Sequence, residues 1–141
     1  MKRVSDTLSR PIARWLLSLF YVTAGCFHIA HPGPFVRITP TFVPDATLVI
    51  FWTGVAEIAG SLALAQPWSR SLRRAAGVSF ALYALCVWPA NMKHFAMDMA
   101  RPDHGWGLAY HVPRMLAQPL LIWLALWTGT VMDWPFKAGK R

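Results

Sequence analysis

Acidic residues are scarce in this chain of 141 residues: six Asp and Glu stand against fourteen Lys and Arg, and Glu57 is the single glutamate. One glutamate excludes a di-iron carboxylate centre, which draws on several, including two Glu-x-x-His elements. Cysteine is nearly as scarce. Cys26 and Cys86 form no Cys-x-x-Cys pair, which excludes a disulfide scaffold or a zinc-finger site and leaves both as expected small buried hydrophobes. Internal repeats and low-complexity runs are missing too. The most telling absence is charge itself: no Asp, Glu, Lys or Arg occurs from Trp15 to Val36, from Ala75 to Met92, or from Met115 to Met132.

What fills these stretches is apolar. The chain is 55% hydrophobic and carries eight tryptophans, a composition of membrane rather than soluble proteins. A soluble helical protein would show polar faces at helical spacing, whereas these segments are apolar nearly all round. A fourth stretch, Ala46 to Gln66, is broken only by Glu57 near its centre. At about 1.5 Å of rise per residue it makes a helix of roughly 30 Å, the thickness of a bilayer's hydrocarbon core. The expected fold is therefore all-α, a four-helix transmembrane bundle. Residues 1–11 form a basic tail, 12–131 a single four-span membrane domain and 132–141 a second basic tail. Val22-Thr23-Ala24-Gly25-Cys26 looks like a lipoprotein cleavage site, but Thr23 stands where such sites take an aliphatic residue, so the first span reads as retained. Prolines at 32, 34, 40 and 44 keep the following apolar loop from forming a long helix; it is expected to lie on the membrane or fold over the bundle mouth.

The formal charge of +8 could suggest nucleic acid, yet its placement argues for topology. With both termini and the turn after the second span on one side, that side holds Lys2, Arg3, Arg10, Arg14, Arg70, Arg73, Arg74, Lys137, Lys140 and Arg141; the other holds Arg37, Lys93, Arg101 and Arg114. The positive-inside rule then makes both termini cytoplasmic and the protein a multi-pass component of the inner (plasma) membrane. Its expected partner is the lipid bilayer, with anionic lipid beside the basic side, and nucleic acid is not a partner.

A charge near mid-membrane costs at least about 2.5 kcal/mol on insertion scales, so Glu57 should face a bundle interior or cavity. Helical spacing aligns other polar groups with it. Tyr21 and His28 recur with Arg14 every seven residues; Tyr83, Val87, Asn91, His94 and Asp98 form a stripe; and His111, Arg114 and Gln118 share a face. Counted from the span ends, His28 and His94 lie roughly 5 Å below the outer boundary, Asn91 and Gln118 roughly 8 to 9 Å, and Glu57 and Tyr21 roughly 15 Å. The candidate ligand-binding set is thus Tyr21, His28, Glu57, Asn91, His94, Arg114 and Gln118, a polar funnel opening outward with Glu57 as its floor. Whether Arg114 reaches Glu57 decides if that carboxylate is a charged structural partner or a proton carrier. His31, His104 and His111 are expected in loops, Lys93 is expected to snorkel outward, and no metal site is assigned.

Several stretches together have a familiar form: Ala-Gly-Cys-Phe-His closing the first span, Pro-Gly-Pro-Phe after it, Gly54-Val-Ala-Glu57-Ile-Ala-Gly60, a basic turn, Trp-Pro89-Ala-Asn91, and Arg114 followed by Gln118-Pro-Leu-Leu-Ile-Trp. From Arg14 to Trp127 the chain resembles the DoxX-like membrane proteins. The resemblance implies a four-helix bundle, some relatives being membrane subunits of thiosulfate:quinone oxidoreductases, and it puts Glu57, Asn91, Arg114 and Gln118 at motif positions without transferring a catalytic residue. The expected function is a small subunit of a quinone-linked redox assembly. A quinone is the candidate cofactor, and a redox partner protein or a second copy is the candidate partner. The alternative is a non-enzymatic scaffold whose polar cluster is structural.

Overall fold

The computed structural model describes residues 4–135, all helix, turn or loop with no strand among them. Helix α1 spans Val4–Ala30, α2 Gly33–Ile38, α3 Ala46–Ala65, α4 Arg70–Met99 and α5 Gly107–Thr128. Among the described residues three helices are long and apolar enough to cross a membrane: α1 over Ser9–Ala30, α3 and α4. Helix α5 is as long, but His111, Pro113, Arg114, Gln118 and Pro119 dilute its apolar run. The basic tail expected over 1–11 is helical from Val4 onward, while residues 1–3 and 136–141 of the two tails lie outside the described residues.

Local signals set the boundaries. Pro32, whose ring disfavours a helical residue before it, closes α1 at Ala30. Asp45, in the left-handed region that Asp tolerates better than most residues, caps α3 by accepting from the Leu48 N–H at 3.1 Å. Ser69 does the same for α4 through Leu72 N–H at 3.2 Å. The intervening turn is tied by Gln66, whose side chain donates to the Ala63 and Ser69 carbonyls and accepts from Ser69 N–H.

The long helices pack chiefly in two pairs, α1 along α3 and α4 along α5, with α3 touching α4 and α1 touching α5. Leu17, Tyr21, Leu64, Phe80, Ala81 and Ala125 form the core between them. The ion pair of Arg10 with Asp133, 2.7 Å, joins the start of α1 to the segment after α5. Outward faces stay apolar: Leu16, Leu19, Phe20, Trp52, Leu62, Leu82, Leu116 and Leu120 are each more than half exposed. Only about a third of the apolar window of each crossing helix is buried within the protein, 28% for α1 and α3 and 33% for α4, so most of that grease faces outward, as a lipid-facing surface would. Cys26 and Cys86, expected to be buried, are exposed on this surface.

The prolyl loop after α1 folds back rather than splaying outward. Its short helix α2 touches α3 and α4, and Phe35 sets its ring edge-on to His28, 4.1 Å between centroids. Lys93, expected to snorkel, is instead turned to this loop and donates through Nζ to the Thr39 carbonyl at 2.5 Å.

Candidate functional site

The closest approach of α1 and α3 is made by two glycines. A Cβ added to Gly25 would lie 2.6 Å from the Gly54 carbonyl oxygen and 3.1 Å from Cβ of Glu57; one added to Gly54 would lie 2.7 Å from the Gly25 carbonyl and 3.1 Å from Cβ of His28. Backbone therefore meets backbone with no room for a side chain, the small-residue crossing that membrane helices favour. Three residues beyond each glycine stands its functional partner. The helices run antiparallel, so His28 lies to one side of the crossing and Glu57 to the other. Side chains on a helix lean toward its N-terminus, which tilts these two toward each other. His28 Nδ1 and Glu57 Oε2 meet at 2.5 Å, with 7% and 3% of the two residues exposed. A single proton between imidazole and carboxylate satisfies both, and either group can carry it.

Around this pair the surroundings are aromatic and hydroxylic. Tyr21 is buried and stacked on Phe80 with ring centroids 4.0 Å apart. The Tyr83 hydroxyl reaches toward the Glu57 carboxylate, and its ring stands edge-on to that of Tyr21, 6.0 Å between centroids. Glu57 and Tyr83 face a groove of about 410 Å³ between α3 and α4, walled by Leu48, Val49, Trp52, Thr53, Ala56, Gly60, Ser79 and Phe80. Its size suits a small-molecule site, and so does its make-up, apolar walls with a few convergent polar atoms. A larger depression on α1, about 460 Å³, is lined by Leu16, Leu19, Phe20, Thr23, Ala24 and Phe27; it holds no titratable group and has the character of lipid-facing surface.

The remaining expected residues gather elsewhere. Arg114 does not bond to Glu57. Its NH1 donates to His94 Nδ1 at 2.7 Å and to the Tyr110 hydroxyl at 3.1 Å. An arginine only donates, so Nδ1 of His94 is the acceptor and the ring's proton sits on Nε2, 3.6 Å from Asp98 Oδ2. Asp98 also accepts from His111 Nε2 at 2.9 Å and from the Trp106 backbone N–H at 3.0 Å. The ligand atoms of His94, Asp98 and His111 lie within 4.8 Å of one another, close enough for a metal ion. A metal on Nε2 of neutral His94 would need the proton on Nδ1, where Arg114 points its own hydrogen. The donor order therefore makes this cluster a hydrogen-bonded network.

The seven expected residues are thus divided. His28, Glu57 and Tyr21 stand at the α1–α3 crossing, and His94 and Arg114 stand at the junction of α4 with α5; no hydrogen bond links the two sets among the described residues. Asn91 and Gln118 are both buried, one turn inward of His94 and Arg114 respectively, and Gln118 Oε1 has no hydrogen-bond partner. Sequence reasoning left Asp98, His111 and Tyr83 out of the set. Asp98 sits four residues after His94, a one-face spacing that marks it, and His111 was expected in a loop because Gly105 and Gly107 suggest one. Instead α5 begins at Gly107, and His111 is 1% exposed within its second turn.

The loop that feeds Trp106 to Asp98 is itself shaped. Arg101 holds the Asp103 carboxyl below the usual carboxylate range by hydrogen bonding it through Nε and NH2, both at 2.9 Å, and Gly105 follows at φ +52°. A Cβ on Gly105 would come 2.4 Å from Asp98 Cγ, whereas one on Gly107, φ +69°, meets nothing within 4 Å. Gly107→Ala should therefore cost only the backbone strain, about 1 to 2 kcal/mol. Gly105→Ala should cost a further 1 to 3 kcal/mol, roughly, from the collision. Thermal unfolding of the two variants in detergent checks this, and equal losses would count against Asp98 as the anchor of the loop.

No curated protein and no solved structure matches the chain. A family described as a domain of unknown function (DUF8561) matches residues 17–129, from the middle of α1 to the residue that caps α5; the match takes in every member of both polar clusters, and the chain belongs to that family.

Proposed function

We propose that this is a four-span membrane protein, with both termini on the cytoplasmic side of the inner (plasma) membrane, and that its α3–α4 groove binds the head of a lipid-soluble carbonyl compound, a quinone. The carrying observation is that Glu57 and Tyr83 line an apolar groove while His28, behind the wall, holds the Glu57 carboxylate at 2.5 Å. The fourth span is α5, whose His111 and Gln118 are buried against the protein while Val112, Leu116 and Leu120 are exposed. The groove lies between two helices rather than at a mouth, so a ligand would enter sideways from the lipid.

In this reading the Tyr83 hydroxyl turns from Glu57 to donate its one hydrogen bond to a quinone carbonyl, and the Glu57–His28 pair holds the proton that such an oxygen takes up on reduction. The electrons come from a redox partner protein of the same assembly, consistent with the resemblance to DoxX-like proteins. Trp52, 59% exposed, offers a flat face to the ring. Purification in mild detergent followed by solvent extraction and absorbance spectroscopy would identify a co-purifying quinone. With decylubiquinone as the probe and tryptophan fluorescence as the readout, Glu57→Gln should weaken binding by about tenfold or more, the worth of a hydrogen bond to a charged group. Unchanged binding in that variant would remove the basis of the reading.

A second reading, a scaffold in which the pair only locks α1 to α3, draws on the near-complete burial of Glu57, 3% exposed. It expects Glu57→Gln to lower stability in detergent while leaving any ligand titration intact.

A further inference from the structure

At the opposite end of the helices from the loop clusters, where the Arg10–Asp133 pair joins α1 to the chain after α5, two arginines stand together with no acid paired to either among the described residues. Arg14 projects from α1 one turn beyond Arg10, which lies 5.2 Å over the Trp127 ring, and Arg73 from the first turn of α4, its carbonyl against Gly129; both thus meet the end of α5, near enough for the Arg73 charge to act on Arg14. The Asp133 carboxylate is taken by Arg10 at 2.7 Å. Arg73 spends NH2 on the Gln66 and Pro67 carbonyls, at 3.2 and 3.1 Å, which leaves Nε buried and without a partner. Arg14 Nε is buried and unpartnered too, and among the described residues nothing accepts a hydrogen bond from its guanidinium.

Two more donors share the place. Ser18, one turn along α1 from Arg14 on the same face, is 5% exposed, and its Oγ has no partner. Thr130 Oγ1 is likewise buried and unsatisfied; it follows Gly129, where an added Cβ would lie 3.1 Å from the Arg73 carbonyl. Two like charges drawn partly out of water, beside buried donors with nothing to receive their hydrogens, are unfavourable unless an anion joins them.

We propose that Arg14, Ser18, Arg73 and Thr130 form a binding site for a phosphate group at the end of the protein where α1 starts and α5 finishes. Paired guanidinium groups match tetrahedral phosphate oxygens with parallel, charge-assisted hydrogen bonds, and the hydroxyls supply neutral donors. The phosphate can be that of an anionic phospholipid headgroup or free in solution; the chemistry is shared, and the experiment separates the sources.

The full chain is washed free of lipid in maltoside detergent, and its unfolding is followed by tryptophan fluorescence during titration with inorganic phosphate, with phosphatidylglycerol in mixed micelles, or with chloride at matched ionic strength. Phosphatidylglycerol, alone or together with inorganic phosphate, should raise the Tm saturably, and chloride should not. A response to the lipid alone assigns the site to a headgroup, and a response to both assigns it to phosphate in general. Arg14→Gln and Arg73→Gln should each weaken the response about tenfold or more, Ser18→Ala less, and Arg70→Gln, an exposed neighbour on the same turn, not at all. In the washed protein without phosphate, Arg14→Gln should raise the Tm, because it relieves the repulsion from Arg73. No response to either probe, or an equal response in Arg14→Gln, Arg73→Gln and Arg70→Gln, overturns the site.

Discussion

Gly54→Ala should be among the most damaging single-methyl changes in this protein, lowering its stability in detergent by about 3 to 5 kcal/mol. The added carbon would sit 2.7 Å from the Gly25 carbonyl and 3.1 Å from Cβ of His28, and both obstacles are fixed, one as backbone and the other as the root of a side chain. Helices α1 and α3 must separate, and the His28–Glu57 contact at 2.5 Å must lengthen with them. Overpacking alone costs about 1 to 3 kcal/mol. Parting a buried polar pair adds to it, since removing one partner of such a pair costs about 3 to 5 kcal/mol and a lengthened bond forfeits part of that. Gly33→Ala, where the new Cβ meets nothing within 4 Å, is the control and should stay within about 0.5 kcal/mol of wild type. Thermal or denaturant unfolding in one detergent compares them; coincident transitions for the two variants would mean that the glycine crossing does not set the spacing of the site.

The second large effect comes from a cycle at positions 28 and 57. His28→Leu leaves Glu57 buried at 3% exposure with its imidazole partner gone, at an expected cost of about 3 to 5 kcal/mol. Removing the acid as well, in His28→Leu/Glu57→Leu, replaces the pair by apolar groups in an apolar setting and should recover most of that loss. The recovery also separates the two functional readings. A refolded double variant that no longer binds decylubiquinone supports a ligand site, whereas one that binds it as wild type does removes the pair from recognition. If the single and double variants lose equal stability, the pair is not coupled.

The helices were legible because their signal is local. Charge-free stretches of about twenty residues, prolines at the exits and Asp45 at the entrance of α3 mark them without reference to any neighbour, whereas α4 starts at Arg70, ahead of its charge-free run, because Ser69 caps it. Glu57 was legible as the focus because one acid in an apolar helix must find a partner. Its partner was less so. Counting depth from the helix ends put His28 and Glu57 roughly 10 Å apart, because that count treats each side chain as level with its own Cα and the two helix ends as level with each other. The lean of the side chains along antiparallel axes closes that gap, and the Gly25–Gly54 contact brings the axes near enough for it to close.

Arg114 shows the same limit in azimuth. Its spacing with His111 and Gln118 says that the three share a face of α5, and nothing in that spacing says which helix the face meets. The structure packs α5 along α4, which hands Arg114 to His94 rather than to Glu57 and turns one expected funnel into two clusters. The small residues of α3 show a similar ambiguity: the spacing of Ala56, Gly60 and Ala63 would admit a neighbouring helix, yet the tight crossing falls at Gly54, and Gly60 faces the Phe80 ring instead.

By itself the sequence determined the helices, their apolar surfaces and the need for Glu57 to turn inward, because hydrophobic burial and backbone hydrogen bonding act within each segment. Tertiary structure alone decided which inward residues meet. That depends on the relative height, rotation and separation of the helix axes, and these are set by close contacts between residues far apart in the chain, Gly25 with Gly54 above all.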